Sequence, residues 1–264
     1  MTSPILLDIR DTVAYITFNR PEQANVLDDA TGYAFIDVTR QVADAQVRGE
    51  VRAVLVAAMG PHFCAGGDIR GFTATDNMAT LLDLTIPPLH AAIHTLSTLP
   101  VPVVSAVQGS LGGGGIGIAL CADIVLASAS MKLRGGYSAI GLSPDVGVSW
   151  ALTRLVGPMR AKHVLFTNQP MNAEQCLAAG LVAEVHADAA LMPAAYALVR
   201  SLAQGASGSL ARIKALVDQA ASHTLHQHLV MEHLGMVACG ASADAREGVK
   251  AFSEKRAPRF KGHS

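Results

Sequence analysis

Two glycine-rich stretches carry the first chemical signal in this chain. "HFCAGGD" covers residues 62–68 and "GSLGGGG" covers residues 109–115. Four consecutive glycines, Gly112 to Gly115, lie in an apolar run with no charged residue before Asp123. Each glycine in a regular element costs backbone entropy, so a run of them needs a reason. Both stretches follow apolar, strand-like sequence and precede helical sequence. Backbone N–H groups at such junctions have no internal partner and point outward, with the positive end of a helix behind them. Glycine lets another group approach those N–H groups closely. Two loops of this kind could aim two donors at one oxygen, as an oxyanion hole does for an enolate or a tetrahedral oxyanion. Either loop alone reads better as a tight turn where a strand packs on a helix. No lysine follows the glycine run, which excludes a phosphate-cradling P-loop. No acidic residue follows at the spacing a dinucleotide fold requires.

The surrounding elements must hold those loops. "ILLDIRDTVAYITFN" alternates as two short strands with a turn near Asp11. "DDATGYAFIDVTRQVADAQV" has helical spacing, with Asp28 or Asp29 as its N-cap. "VRAVLVAAM", "VPVVSAV" and "IVLAS" read as buried strands. "TATDNMATLLDLTIPPLHAAIHTLSTLP" reads as a mobile connection and then a helix, interrupted near Pro87 and Pro88. Strand, glycine loop and helix thus occur twice in succession, which predicts an α/β core with parallel pairing. From about Asn172 onward the chain reads as mainly helical.

Composition narrows the function. Half of the 264 residues are hydrophobic, enough to bury a large core. Lys plus Arg number 20 and Asp plus Glu 21, so no charge excess points to nucleic acid or an anionic membrane. Cys64, Cys121, Cys176 and Cys239 are widely spaced and form no CxxC pair. They read as buried free thiols of a cytoplasmic protein, not as disulfides or a zinc site. His223, His226, His228 and His233 are spaced irregularly along one helix, which suits a solvated or interface face better than a metal site.

Six segments together resemble the crotonase, or enoyl-CoA hydratase/isomerase, superfamily over nearly the whole chain. They are "NRPEQANVL", "HFCAGGDI", "PVPVVSAVQGSLGGGGIGIALCADIVLAS", "GLSPDVGVSWALTRLVG", "NAEQCLAAGLVAEV" and "EGVKAFSEKRAPRFKG", in family order. The resemblance implies a spiral of ββα units over residues 1–195 and a helical trimerisation region over residues 196–264, with trimers often pairing into hexamers. It implies an acyl-CoA thioester substrate, with CoA entering as part of the substrate and no separate cofactor. The oxyanion donors become the N–H groups of Gly67 and Gly114. CoA is expected across the backbone of Gln23 and Ala24, the Ala65 carbonyl, Asp68 and Ile69. Phe252 and Lys255 match tail residues that reach a CoA bound by a neighbouring subunit.

The resemblance also exposes a departure. Family hydratases use two glutamates, and Gly117 and Tyr137 stand at their positions here. Hydration needs a base for water and an acid for carbon, so both groups are missing. Asp145, in "GLSPDVG", matches the acid that some family isomerases use as base and that aryl-CoA dehalogenases use as nucleophile. The same residue could instead cap a helix beginning near Val146. His90 matches a pocket histidine and is a second candidate, with His94 one turn later. Tyr137 could wall the pocket or donate a hydrogen bond. The leading expectation is double-bond isomerisation of an enoyl-CoA with Asp145 as base. The alternatives are a hydratase with an unrecognised acid/base pair, an aryl-CoA dehalogenase and a non-catalytic acyl-CoA-binding protein.

Overall fold

The computed structural model describes residues 3–262. Strands β1 (Ile5–Arg10) and β2 (Val13–Phe18) form an antiparallel hairpin. Its two loop residues, Asp11 and Thr12, both take positive φ, the backbone that two-residue hairpin turns require. Helix α1 (Asp29–Val47) follows, and the Asp28 carboxylate caps it by accepting from the Thr31 N–H at 2.9 Å. Strand β3 (Ala53–Ala58) leads through the first glycine loop into the short helix α2 (Ile69–Thr73) and then α3 (Met78–Thr98). Strand β4 (Val103–Val107) leads through β5 (Ser110–Gly112) and the glycine run into α4 (Gly114–Leu120). Strands β6 (Ile124–Ser128) and β7 (Lys132–Arg134), helix α5 (Val148–Thr167), strand β8 (Met171–Asn172), helix α6 (Ala173–Ala178) and strand β9 (Glu184–His186) complete the sheets. Helices α7 (Asp188–Ala203), α8 (Ser207–Gln219), α9 (Leu225–Gly240) and α10 (Ala243–Ser253) end the chain.

The main sheet has the order β1-β2-β3-β4-β6-β9, and every pairing after the hairpin is parallel. Parallel strands buried on both faces read as continuous apolar runs, as β3 and β4 do. Alternation along β3 divides its side chains between two cores. Val54 and Val56 join the cluster that holds Phe35 and Val42 of α1 and Leu96 of α3. Ala53, Leu55 and Ala57 face Leu191, Ala195 and Val199 of α7. Helix α7 therefore crosses residue 196, the expected boundary, while packing on the sheet. A second sheet, β5-β7-β8, carries the glycine run at its edge.

Helix α3 runs through Pro87 and Pro88, where the sequence predicts an interruption. Two intrahelical donors are lost there. Ala92 and Leu96, beyond the prolines, are buried against α1, and this packing keeps the helix continuous. All four cysteines are free. Among the described residues, no helix is long and apolar enough to cross a membrane.

One polar contact fastens the C-terminal helices to the sheet. Asp123 Oδ2 accepts from the Val103 N–H at 2.7 Å and from Lys214 Nζ of α8 at 3.0 Å. The Lys214 side chain is almost fully covered. Replacing one partner leaves the other polar group covered and unpaired. Asp123→Ala is expected to lower unfolding free energy by about 3 kcal/mol, the low end for breaking a buried ion pair. Urea unfolding measures this, and the double variant Asp123→Ala/Lys214→Met should recover part of the loss.

Candidate active site

The first wall of the site is backbone. The Phe63 and Cys64 N–H groups donate to the Gln108 and Ser110 carbonyls at 2.8 and 3.2 Å, and the Gly112 N–H returns to Cys64 O at 2.9 Å. On its other side the loop is tied to the segment before α1. Ala65 N donates to Ala24 O, Leu27 N to Gly66 O and Asp68 N to Leu27 O, at 3.0, 2.8 and 3.1 Å. These bonds use most of the flanking groups. Among the described residues, the N–H groups of Gly67 and Gly114 have no acceptor. Both residues line one cavity of about 1360 Å³. Gly114 is the first residue of α4, so its N–H belongs to the positive end of a helix.

Close approach explains the glycine run. A Cβ on Gly112 would lie 2.6 Å from the Ala65 carbonyl oxygen, and one on Gly113 would lie 3.3 Å from Gly66 Cα. The two glycine loops touch through bare backbone, which brings both free N–H groups to the same cavity.

The same cavity holds the acid. Tyr137 is buried, and its hydroxyl donates to Asp145 Oδ1 at 2.7 Å. A Cβ on Gly114 would lie 3.6 Å from that same Oδ1, so the carboxylate stands beside the start of α4. Among the described residues, no donor reaches Asp145 Oδ2. Burial, reinforced by the negative charge of Asp145, pushes the Tyr137 hydroxyl far above its ordinary range. Tyr137 therefore stays a neutral O–H donor at any working pH. Behind the loop, burial pushes the Cys64 thiol up to about 12, so it holds no thiolate for nucleophilic chemistry.

Asp145 is not a helix cap. Helix α5 begins at Val148 after Gly147, and no side chain caps it. The Asp145 carbonyl accepts from the Val148 N–H at 3.0 Å, while its carboxylate turns toward Tyr137. His90 Nε2 accepts the Val146 N–H at 3.0 Å. That bond occupies the Nε2 lone pair and assigns the neutral ring's proton to Nδ1. His94 is exposed and does not line the cavity.

Gly117 is closed to any side chain. A Cβ there would sit 1.9 Å from the Val146 carbonyl oxygen. The position of the first family glutamate is thus filled by backbone as well as lacking a carboxylate.

The remaining expected residues divide into three groups. Ala65, Asp68 and Ile69 line the cavity, and Asp68 also caps α2 through the Arg70 N–H at 3.0 Å. Gln23 and Ala24 lie behind that rim, held by the Ala24 carbonyl and by a contact of Gln23 with Arg20. Phe252, 87% exposed, and Lys255 lie outside the cavity of their own chain. Two cavity residues that sequence reasoning missed are Lys132 and Arg134, which reach it from β7. Their only signal is charge at alternate positions of a short strand.

With this geometry described, its relatives can be placed. Residues 8–263 match the family model for enoyl-CoA hydratase/isomerase. A probable enoyl-CoA hydratase of Rhodobacter capsulatus is 35% identical over 98% of both chains. A 1,2-epoxyphenylacetyl-CoA isomerase of Escherichia coli is 34% identical over 98% of both chains. The crystal structure of an enoyl-CoA hydratase from Polaromonas sp. JS666 superposes with a TM-score of 0.90 at 31% identity, covering 97% of this chain and 99% of the other. Paired glycine loops, a common cavity and end-to-end similarity lead to one conclusion: this chain belongs to the enoyl-CoA hydratase/isomerase family, with its crotonase fold.

Proposed function

We propose that this protein moves the double bond of an enoyl-CoA thioester from the 3,4 to the 2,3 position. One observation carries the reading. Asp145 Oδ1 lies beside the Gly114 end of the oxyanion wall, with the carboxylate fixed by Tyr137. The thioester oxygen accepts from the N–H groups of Gly67 and Gly114. Polarised in this way, the thioester releases a C2 proton to Asp145 and becomes an enolate. The same carboxyl group returns the proton at C4 as the electron pair moves back. The transfer is redox-neutral and needs no metal or electron carrier, and CoA arrives as part of the substrate. The relative named as a 1,2-epoxyphenylacetyl-CoA isomerase supports an isomerase reading for this chain too.

Hydration finds less support. It asks for two acid/base groups, and backbone closes Gly117 while Tyr137 keeps its proton. The other cavity carboxylates have structural roles or stand apart. Asp28 caps α1 and pairs with Arg20, Asp68 caps α2, and Asp29 lies in the exposed first turn of α1.

We further propose that the working form is a trimer or a pair of trimers. Trp150, Met159 and Phe166 of α5 and Leu225, Leu234 and Met236 of α9 are all at least 60% exposed. Apolar exposure on this scale marks a surface that another subunit covers. In that assembly Phe252 and Lys255 would meet the CoA of a neighbour.

Three outcomes test these readings. Asp145→Asn keeps the shape and an oxygen for Tyr137, so folding should survive. Turnover of a 3-enoyl-CoA, followed by NMR of the double-bond position, should fall by about 10²- to 10⁴-fold. Turnover near wild type would remove Asp145 from the chemistry. Tyr137→Phe deletes a hydrogen bond to a charged group, worth about 1.5–3 kcal/mol, so activity should fall by about 10- to 100-fold. Light scattering should give a mass near three or six times 27.4 kDa, and a stable monomer would refute the assembly.

A further inference from the structure

We infer that His90 is a positioning residue, which sets the aim of Asp145 by holding the peptide between Asp145 and Val146. The inference rests on the reading of Asp145 as base.

The turn that carries Asp145 is strained. Val146 has φ +49° and Gly147 has φ +75°, so both residues lie in the left-handed region. Glycine accepts that conformation freely, but a β-branched residue resists it. Such a backbone persists only where its surroundings over-determine it. Here three restraints hold the turn. The Asp145 carbonyl accepts from the Val148 N–H at 3.0 Å. The Val146 N–H donates to His90 Nε2 at 3.0 Å. The Val146 carbonyl occupies the space that Gly117 leaves open, and the Val146 side chain is buried at 1% exposure.

Two of these three restraints come from α4 and from the turn itself. The third, His90, is the only side chain that bonds to the turn's backbone among the described residues. It comes from α3. His90 lines the cavity, but its Nε2 lone pair is committed to Val146. To act as a base through Nε2 it would first have to release the turn. Without the acceptor, the Val146 peptide loses the bond that opposes its strain, and the preceding Asp145 carboxylate loses its fixed relation to Gly114. Misplacing a reacting group by about 1 Å can cost on the order of 10²-fold in rate.

The test compares His90→Ala, His90→Gln and Asp145→Asn with wild type on 3-hexenoyl-CoA. The readouts are kcat, KM, exchange of the C2 proton with deuterium and imidazole ¹⁵N shifts. Glutamine places an amide oxygen near the position of Nε2 and can accept the same N–H, but it cannot serve as a base. His90→Ala should lower kcat by about 10- to 100-fold with KM changed by less than about threefold, the pattern of a loss felt only in the transition state. His90→Gln should recover most of that loss. The wild-type spectrum should contain a histidine, absent from His90→Gln, that is protonated at Nδ1 and bare at Nε2.

A His90→Gln enzyme as inactive as His90→Ala, though folded, would overturn positioning in favour of direct chemistry. So would a His90 resonance protonated at Nε2. A His90→Ala kcat near wild type alongside an inactive Asp145→Asn would remove His90 from any role while sparing the base. An active Asp145→Asn would overturn the base assignment itself, and with it the inference.

Discussion

The molecule is organised around two backbone N–H groups that its own fold leaves without acceptors. A covered, unpaired donor costs free energy, and native chains pair nearly all of theirs. The N–H groups of Gly67 and Gly114 are exceptions maintained by their neighbours. Hydrogen bonds on either side of Gly67 tie its loop to the segment before α1 and to β5. Gly114 stands at a helix start, where no preceding carbonyl is in register. Both donors line one cavity, where an acceptor can reach them.

That requirement reaches back into the core. Loops made of bare backbone have little side-chain packing of their own. Their positions come from β3 and β4, which are buried on both faces, and from α7, which seals the second face. The small β5-β7-β8 sheet then fixes the edge of the glycine run, where the Gly113 N–H donates to Arg134 O. Rigidity is thus brought to the site from a distance, through the strands on which the loops begin.

Much of this was legible in the sequence because it depends on local patterns. The strand alternation in "ILLDIRDTVAYITF", the Asp28 cap and the two glycine loops each announce themselves within a dozen residues. What was not legible depends on contacts between distant segments. Asp145 was legible as a candidate acid, but its second reading as a helix cap was not settled by sequence: the helix starts later and Tyr137 draws the carboxylate away. A left-handed valine has no sequence signature, since its neighbours in space impose it. The same holds for α3, whose prolines predict a break that packing against α1 overrides. Gly117 was legible as a missing carboxylate, but the carbonyl that fills its place was not.

The contact between Gly117 and the Val146 carbonyl also constrains how this chain could change over generations. Any side chain at residue 117 collides with the turn that carries Asp145. Placing a carboxylate there by a single mutation would therefore displace the turn on which Asp145 sits. The turn would first have to relax, and relaxing it gives up the aim of Asp145. A side chain at residue 117 and the present turn exclude each other sterically, so no single substitution adds a carboxylate at 117 and keeps this turn.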